Sequence, residues 1–292
     1  MVKRQSLTKQ VQDNLGKKLR IGESRHAAKA DGAYKDGVYS WATYRTYLAH
    51  CCRFAKWAKA NHGVRTLEEA RPYVNAYIQR HIDAGHSAYT QKLAASALAK
   101  MYGCSSTDFI QTKVRRRVDI TRSRLSKAQL CEIRNAEFIA FCKATGLRRS
   151  EITTLKLESL RVCEITGRYS LEIKGKGGRV RIAPILSDEA VRRILETPAN
   201  QRVWPIVPSR ADIHGMRAAY CARVYAIHAR SIDVVPMDER YYARKDFRGR
   251  IYDKSAMRIA SKALGHSRIS VIAGNYLWAI EQEEAISASG LT

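Results

Sequence analysis

Residues 160–185 read LRVCEITGRYSLEIKGKGGRVRIAPI. Three short runs within it, 160–165, 169–173 and 180–185, favour strands. Thr166-Gly167-Arg168 and the glycine-rich stretch 175–178 supply the turns between them, which predicts a small antiparallel sheet. On both sides of this stretch apolar residues recur at three and four, the spacing of helices that bury one face. The expected fold class is therefore α+β and mostly helical.

Towards the N-terminus, Trp41, Tyr44, Tyr47, Leu48, Cys51, Phe54, Ala55 and Ala58 form one apolar helical stripe that Asn61-His62-Gly63 ends. A second helix starts at Thr66, with Glu69 at capping-box spacing, and a third runs over 87–101. Residues 39–112 thus read as an all-α domain. Residues 1–38 are polar and basic, with Gly16, Gly22, Gly32 and Gly37 interrupting any long helix, and read as a basic N-terminal arm with a short helix or two. Residues 113–125 read as a basic linker, since 113–127 hold seven basic residues and one acid. The second domain, 126–292, opens on Ser126 and Gln129 at capping-box spacing and carries helices over 126–146, 188–196, 212–228, 255–264 and 269–279. Its tail turns from apolar to acidic.

Across 292 residues, Lys plus Arg outnumber Asp plus Glu by 52 to 27, a formal net charge of +25. Residues 1–122 hold 23 basic and 9 acidic residues, a net of +14, leaving +11 for the rest. Both parts are basic, as expected if both hold one nucleic-acid duplex. No apolar run is long enough to span a membrane and no lipidation motif is present. The seven cysteines form an odd set with no CxxC pair, which points to free thiols rather than disulfides or zinc. The N-terminus has no apolar signal core, so a cytoplasmic protein is expected.

Four motifs carry chemistry: TGLRRSE with Arg148, GKGG with Lys176, HGMR with His214 and Arg217, and LGHSRISVIAGNYL with His266 and Tyr276. Cleaving a phosphodiester with a side chain requires neutralising charge on the non-bridging oxygens, which guanidinium groups do through paired hydrogen bonds. A tyrosine nucleophile must lose a proton that a neighbouring histidine can accept. A lysine on a turn can protonate the departing oxygen. His214 and Arg217, three apart, share one helix face.

ATGLRRSEITTL, GKGGRVRIAPI, HGMR and LGHS with a downstream tyrosine, in this order, resemble the tyrosine recombinase (phage integrase) family. The resemblance covers nearly the whole second domain, and the helical domain resembles the family's core-binding (SAM-like) domain. It implies that Arg148 and Arg217 clamp the scissile phosphate, Lys176 is the general acid for the 5′ hydroxyl, His214 assists proton transfer at the tyrosine, His266 hydrogen-bonds the phosphate and Tyr276 is the nucleophile. Glu151 would buttress Arg148. No metal and no cofactor is implied. The partners would be double-stranded DNA carrying specific sites, further copies of the chain in a tetrameric synapse, and an accessory DNA-bending protein. Lys113, Arg115, Arg116, Arg117, Arg122, Arg124, Arg149, Arg179, Arg244, Lys245 and Arg248 are the expected DNA contacts.

Two features depart from the family pattern. The interval from His266 to Tyr276 is one residue longer than usual, with a bulge or break expected at Ala273-Gly274. The segment between HGMR and LGHS is long, and residues 240–252 read as a basic hairpin around Arg248-Gly249. Two alternatives stay open: a related topoisomerase-like or hairpin-forming enzyme, and a non-catalytic DNA-binding protein derived from the same fold.

Overall fold

The computed structural model describes residues 5–30, 32, 35–116, 131, 133–175 and 178–277. The chain divides into two compact units, 1–116 and 117–292.

The first unit is helical: α1 (Leu7–Gly16), α2 (Arg25–Ala30), α3 (Trp41–His62), α4 (Leu67–Ala70), α5 (Val74–Asp83) and α6 (Ala88–Tyr102). Its boundaries follow from capping. Ser40 and Ser87 accept hydrogen bonds from Thr43 N–H and Thr90 N–H, and α3 and α6 end on Gly63 and Gly103 in left-handed backbone. Thr66 caps α4, but the Glu69 carboxylate accepts from Arg65 N–H, one residue before the position a reciprocal capping box requires. Phe54, Ile78, Leu98 and Met101 are fully buried in its core, each worth about 1.5–3 kcal/mol relative to exposure.

The expected N-terminal arm is corrected here. Leu7, Val11 and Leu15 of α1, spaced by four, lie in that same core. Gln10 ties α1 to the start of α4, donating to the Arg65 carbonyl and accepting from Leu67 N–H. The glycines break the segment into short pieces but do not detach it, because its apolar stripe has a core to enter.

In the second unit, α7 (Ala136–Thr145) and α8 (Arg149–Ile152) precede a sheet of β1 (Leu160–Val162), β2 (Tyr169–Lys174) and β3 (Val180–Pro184). The order is β1-β2-β3, antiparallel throughout, with Leu160 opposite Leu171 and Leu171 opposite Ala183. Helices α9 (Asp188–Leu195), α10 (Ile213–His228), α11 (Lys254–Ala263) and α12 (Ser270–Asn275) follow. The antiparallel sheet and helices α9, α10 and α11 are those the sequence pattern predicts, whereas β1 stops at Val162, α7 begins only at Ala136, α12 ends at Asn275 and the short α8 was not expected as a separate helix. Ser126, Gln129 and the 117–125 part of the basic stretch lie outside the described residues.

Between α10 and α11 the expected hairpin forms from β4 (Arg240–Tyr242) and β5 (Ile251–Asp253). Its loop is 243–250, closed by Ala243 N–H donating to the Arg250 carbonyl. Asp253, fully buried, anchors the base: it accepts from Arg230 Nε at 2.7 Å and from Ser255 N–H at 2.8 Å. The core joins α10, α11, α12 and the hairpin. Ala218 and Ala222 of α10 and Ala256, Ala260 and Ala263 of α11 are all buried, and small side chains let the two helices approach closely. The seven cysteines are free thiols. No described helix is long and apolar enough to cross a membrane.

Candidate active site

The last turn of a helix leaves carbonyls without partners at the negative end of its dipole, a natural seat for cations. At the end of α11 three arginines take that seat. Arg181 Nε donates to the Ala263 carbonyl at 3.0 Å, Arg148 Nη2 donates to the Leu264 carbonyl at 3.3 Å, and Arg217 Nη2 donates to the same Leu264 oxygen. Arg217 Nη1 donates to the Gly146 carbonyl at the end of α7. Gly146 has φ +59°, and a Cβ there would meet the Tyr220 ring at 2.1 Å. Glycine is therefore required for this turn to close beneath Arg217.

Arg148 is the N-cap residue of α8. Its backbone N–H and its Nη1 both donate to the Glu151 carboxylate at 2.7 Å. Arg181, on β3, donates to the same carboxylate through Nη1 at 2.8 Å and Nη2 at 2.7 Å. Burial alone would raise the Glu151 pKa, but hydrogen bonds from Arg181 and from Arg148 outweigh it and hold the carboxyl at about 2.

After α11 the chain turns sharply. Gly265 has φ +69°, and His266 N–H donates to the Ser261 carbonyl at 2.8 Å, while Ser261 Oγ donates back to the His266 carbonyl. This fixes the His266 ring, whose Nε2 lies 3.1 Å from the Tyr276 hydroxyl. Burial first, then Arg217, Arg148 and Arg181, push the His266 pKa down to about 4. The imidazole is thus neutral near pH 7 and can accept the hydroxyl proton.

Helix α12 is regular through Ala273 and Gly274, so no bulge or break forms there. It closes instead at Asn275, with Tyr276 the first residue past its end, at φ −131°. Tyr276 is 5% exposed, its ring between those of His214 (centroids 5.2 Å apart) and His266 (5.3 Å). The Arg217 guanidinium carbon lies 5.8 Å from the ring centre.

Arg148, Glu151, His214, Arg217, His266 and Tyr276 are therefore gathered in one place. The His266 Nε2 stands at hydrogen-bond distance from the Tyr276 hydroxyl, and the His214 ring packs on the Tyr276 ring. Lys176 lies outside the described residues, but the preceding Gly175 is beside the arginines, where an added Cβ would stand 3.5 Å from Arg148 Nη1.

Among the expected DNA contacts, Lys113, Arg115 and Arg116 are exposed in the first unit, and Arg179, Arg244, Lys245 and Arg248 are exposed in the second. Arg117, Arg122 and Arg124 fall outside the described residues. Arg149 is a correction: its guanidinium donates to the carbonyls of Pro208, Ser209 and Ala211 and holds that loop. Arg181 was missing from the expected set. The signal for it was its alternation with Val180 and Ile182 on β3, which demands that either the arginine or the two apolar residues face inward.

No family model matches the chain, and no curated protein does. Among solved structures, the XerH site-specific recombinase bound to a palindromic difH substrate, in a post-cleavage complex, is similar at 11% identity. That match covers 98% of this chain and 94% of that one, with a TM-score of 0.52. The Tn1549 transposon integrase in complex with circular intermediate DNA matches at 13% identity over 96% of this chain and all of that one, with a TM-score of 0.45. The first likeness shows a shared fold.

Proposed function

We propose that this chain, which has the tyrosine-recombinase fold, is a site-specific recombinase that breaks and rejoins DNA through a 3′-phosphotyrosyl intermediate. The observation that carries the reading is the Tyr276 hydroxyl held 3.1 Å from a neutral His266, beside two arginines converging on one helix end.

In this reading Arg148 and Arg217 bond the non-bridging oxygens of the scissile phosphate and neutralise the charge that grows there. Tyr276 gives its proton to His266 Nε2 as its oxygen attacks phosphorus. The P–O5′ bond breaks, and the leaving 5′ oxygen takes a proton from Lys176. The phosphodiester's bond energy is retained in the tyrosyl linkage, so the free 5′ hydroxyl of another strand can reverse the step. His214, packed on the Tyr276 ring, fixes its direction. Exposed Arg179 and the hairpin residues Arg244, Lys245 and Arg248 contact duplex backbone, as do Lys113, Arg115 and Arg116 in the first unit. Strand exchange between two duplexes implies a tetramer on DNA, for integration, excision or resolution of a mobile or replicating DNA.

The test is a library of nicked duplexes with a randomised core, incubated with the protein in EDTA and screened for SDS-resistant adducts. Wild type should select a sequence and become covalently joined to it, and Tyr276→Phe should bind without joining. Binding with no wild-type adduct would instead support the non-catalytic reading, which the low exposure of Tyr276 (5%) and Arg217 (2%) favours. Adduct without exchange between duplexes would support the topoisomerase-like one.

A further inference from the structure

Strand β3 is built against the ordinary pattern. Val180 and Ile182 are 60% and 53% exposed, while Arg181 between them is 8% exposed and faces inward. Shifting the strand by one residue would bury two apolar side chains and free the charge. The observed register instead buries a guanidinium, whose desolvation its partners must offset.

Those partners belong to the site on every side. Arg181 donates both Nη atoms to Glu151, which in turn holds Arg148. Its Nε donates to the Ala263 carbonyl, one residue before the Leu264 oxygen that Arg148 and Arg217 share. Its Cδ fills the space beside Gly265, where an added Cβ would stand 2.8 Å away, at the turn leading to His266. Arg181, on β3, thus touches α8 and the end of α11 together. Three of its five N–H groups are bonded within the protein and the residue is 8% exposed, whereas the Arg148 side chain is 30% exposed.

We infer that Arg181 is a positioning residue: a buried strut that sets the distance between Arg148 and the Leu264–His266 turn, so that both arginines and His266 meet one phosphate. This rests on the recombinase reading for its chemistry, but not for its geometry. Lysine cannot serve in its place, because a single ammonium cannot bridge two carboxylate oxygens and reach a third acceptor in one plane.

The experiment uses full-length wild type, Arg181→Lys, Arg181→Met and, as a distant control, Arg193→Met. On the duplex selected by wild type, cleavage of prebound DNA should fall about 100-fold in both Arg181 variants, the loss expected for a misplacement of about 1 Å. DNA affinity should stay within about 3-fold, since phosphate contacts over the whole duplex dominate it. The rate's acid limb should move to higher pH in Arg181→Met, where Glu151 keeps its burial but loses its main ionic partner. Cleavage by Arg181→Lys within about 3-fold of wild type, measured against the same expectation, would overturn the strut.

A second arm separates this inference from its parent. If wild type forms no adduct, the recombinase reading fails, and ¹⁵N-histidine NMR decides the strut alone. Arg181→Lys keeps the charge, so a changed His266 titration or a lost His266–Tyr276 hydrogen bond reports geometry. The strut requires that change in Arg181→Lys and none in Arg193→Met. An unchanged His266 in Arg181→Lys overturns it, and this arm also decides the question should Arg181→Met fail to fold.

Discussion

Arg148 and Arg217 donate to the same oxygen, the carbonyl of Leu264 at the end of α11. Two cations would otherwise repel each other, but a shared helix-end acceptor sets them side by side. Shortening or displacing α11 therefore disturbs both arginines at once.

Removing the carboxylate beneath this pair should be costly. Glu151→Gln leaves Arg181 buried without its counter-charge, an uncompensated loss of about 3–5 kcal/mol. Urea unfolding near pH 7 checks it. In wild type the Glu151 contribution is complete above the ordinary glutamate range and disappears as pH falls towards about 2.

His266 adds a dependence of the same sign, at higher pH. Its pKa is near 4 in the folded chain, against about 6.5 when unfolded. Between these values the unfolded chain binds a proton that the folded chain does not, so stability should rise with pH across this window and fall on acidification. Replacing His266 with Asn should flatten that part of the urea-midpoint profile. In cleavage assays the wild-type rate should fall as pH drops towards 4, where protonated His266 no longer accepts.

Tyr276→Phe should abolish adduct formation while barely changing the fold. The ring stays buried among His214, His266 and Arg217, and each hydrogen bond its hydroxyl loses costs about 0.5–1.5 kcal/mol. Thermal unfolding beside the adduct assay separates the two effects.

Gly146→Ala should be among the most damaging small changes in the chain. Its φ of +59° makes any side chain unfavourable by about 1–2 kcal/mol. The methyl group would also strike Tyr220, adding a packing cost of about 1–3 kcal/mol. Since the Gly146 carbonyl holds Arg217, lowered cleavage should accompany the lowered melting temperature.

For the hairpin, replacing Arg244, Lys245 and Arg248 together by Ala should lower DNA affinity at low salt. The slope of log affinity against log salt should shrink by about 2–3 if each neutralises one phosphate. An unchanged slope would remove the hairpin from the DNA-contacting surface.

Much of this was legible in sequence because the periodicities are strong. The three strands, the helix carrying HGMR and the helix leading into LGHS announce themselves through Gly167, Gly175 and the periodic apolar residues. What was not legible depended on three-dimensional competition. Arg149 and Arg148 are adjacent and chemically identical, and only the loop at Pro208–Ala211 decides which one is used up as a tether. Leu7, Val11 and Leu15 carried a readable stripe, but the glycines after them favoured an arm until a core was present to receive it. Arg181 was hidden because β3 reads equally well with either face inward, and its choice is made by Glu151, thirty residues earlier in the chain.

Arg148, Arg181 and Arg217 converge on the end of α11 with one carboxylate, Glu151, holding the first two, which leaves surplus positive charge in a poorly hydrated place. Folding therefore stores electrostatic repulsion that a phosphate bound under the proposed function would relieve, linking ligand binding to resistance against unfolding. The melting temperature becomes a reporter of occupancy. DNA fragments could then be ranked by how far each raises it, and a target sequence read from the ranking.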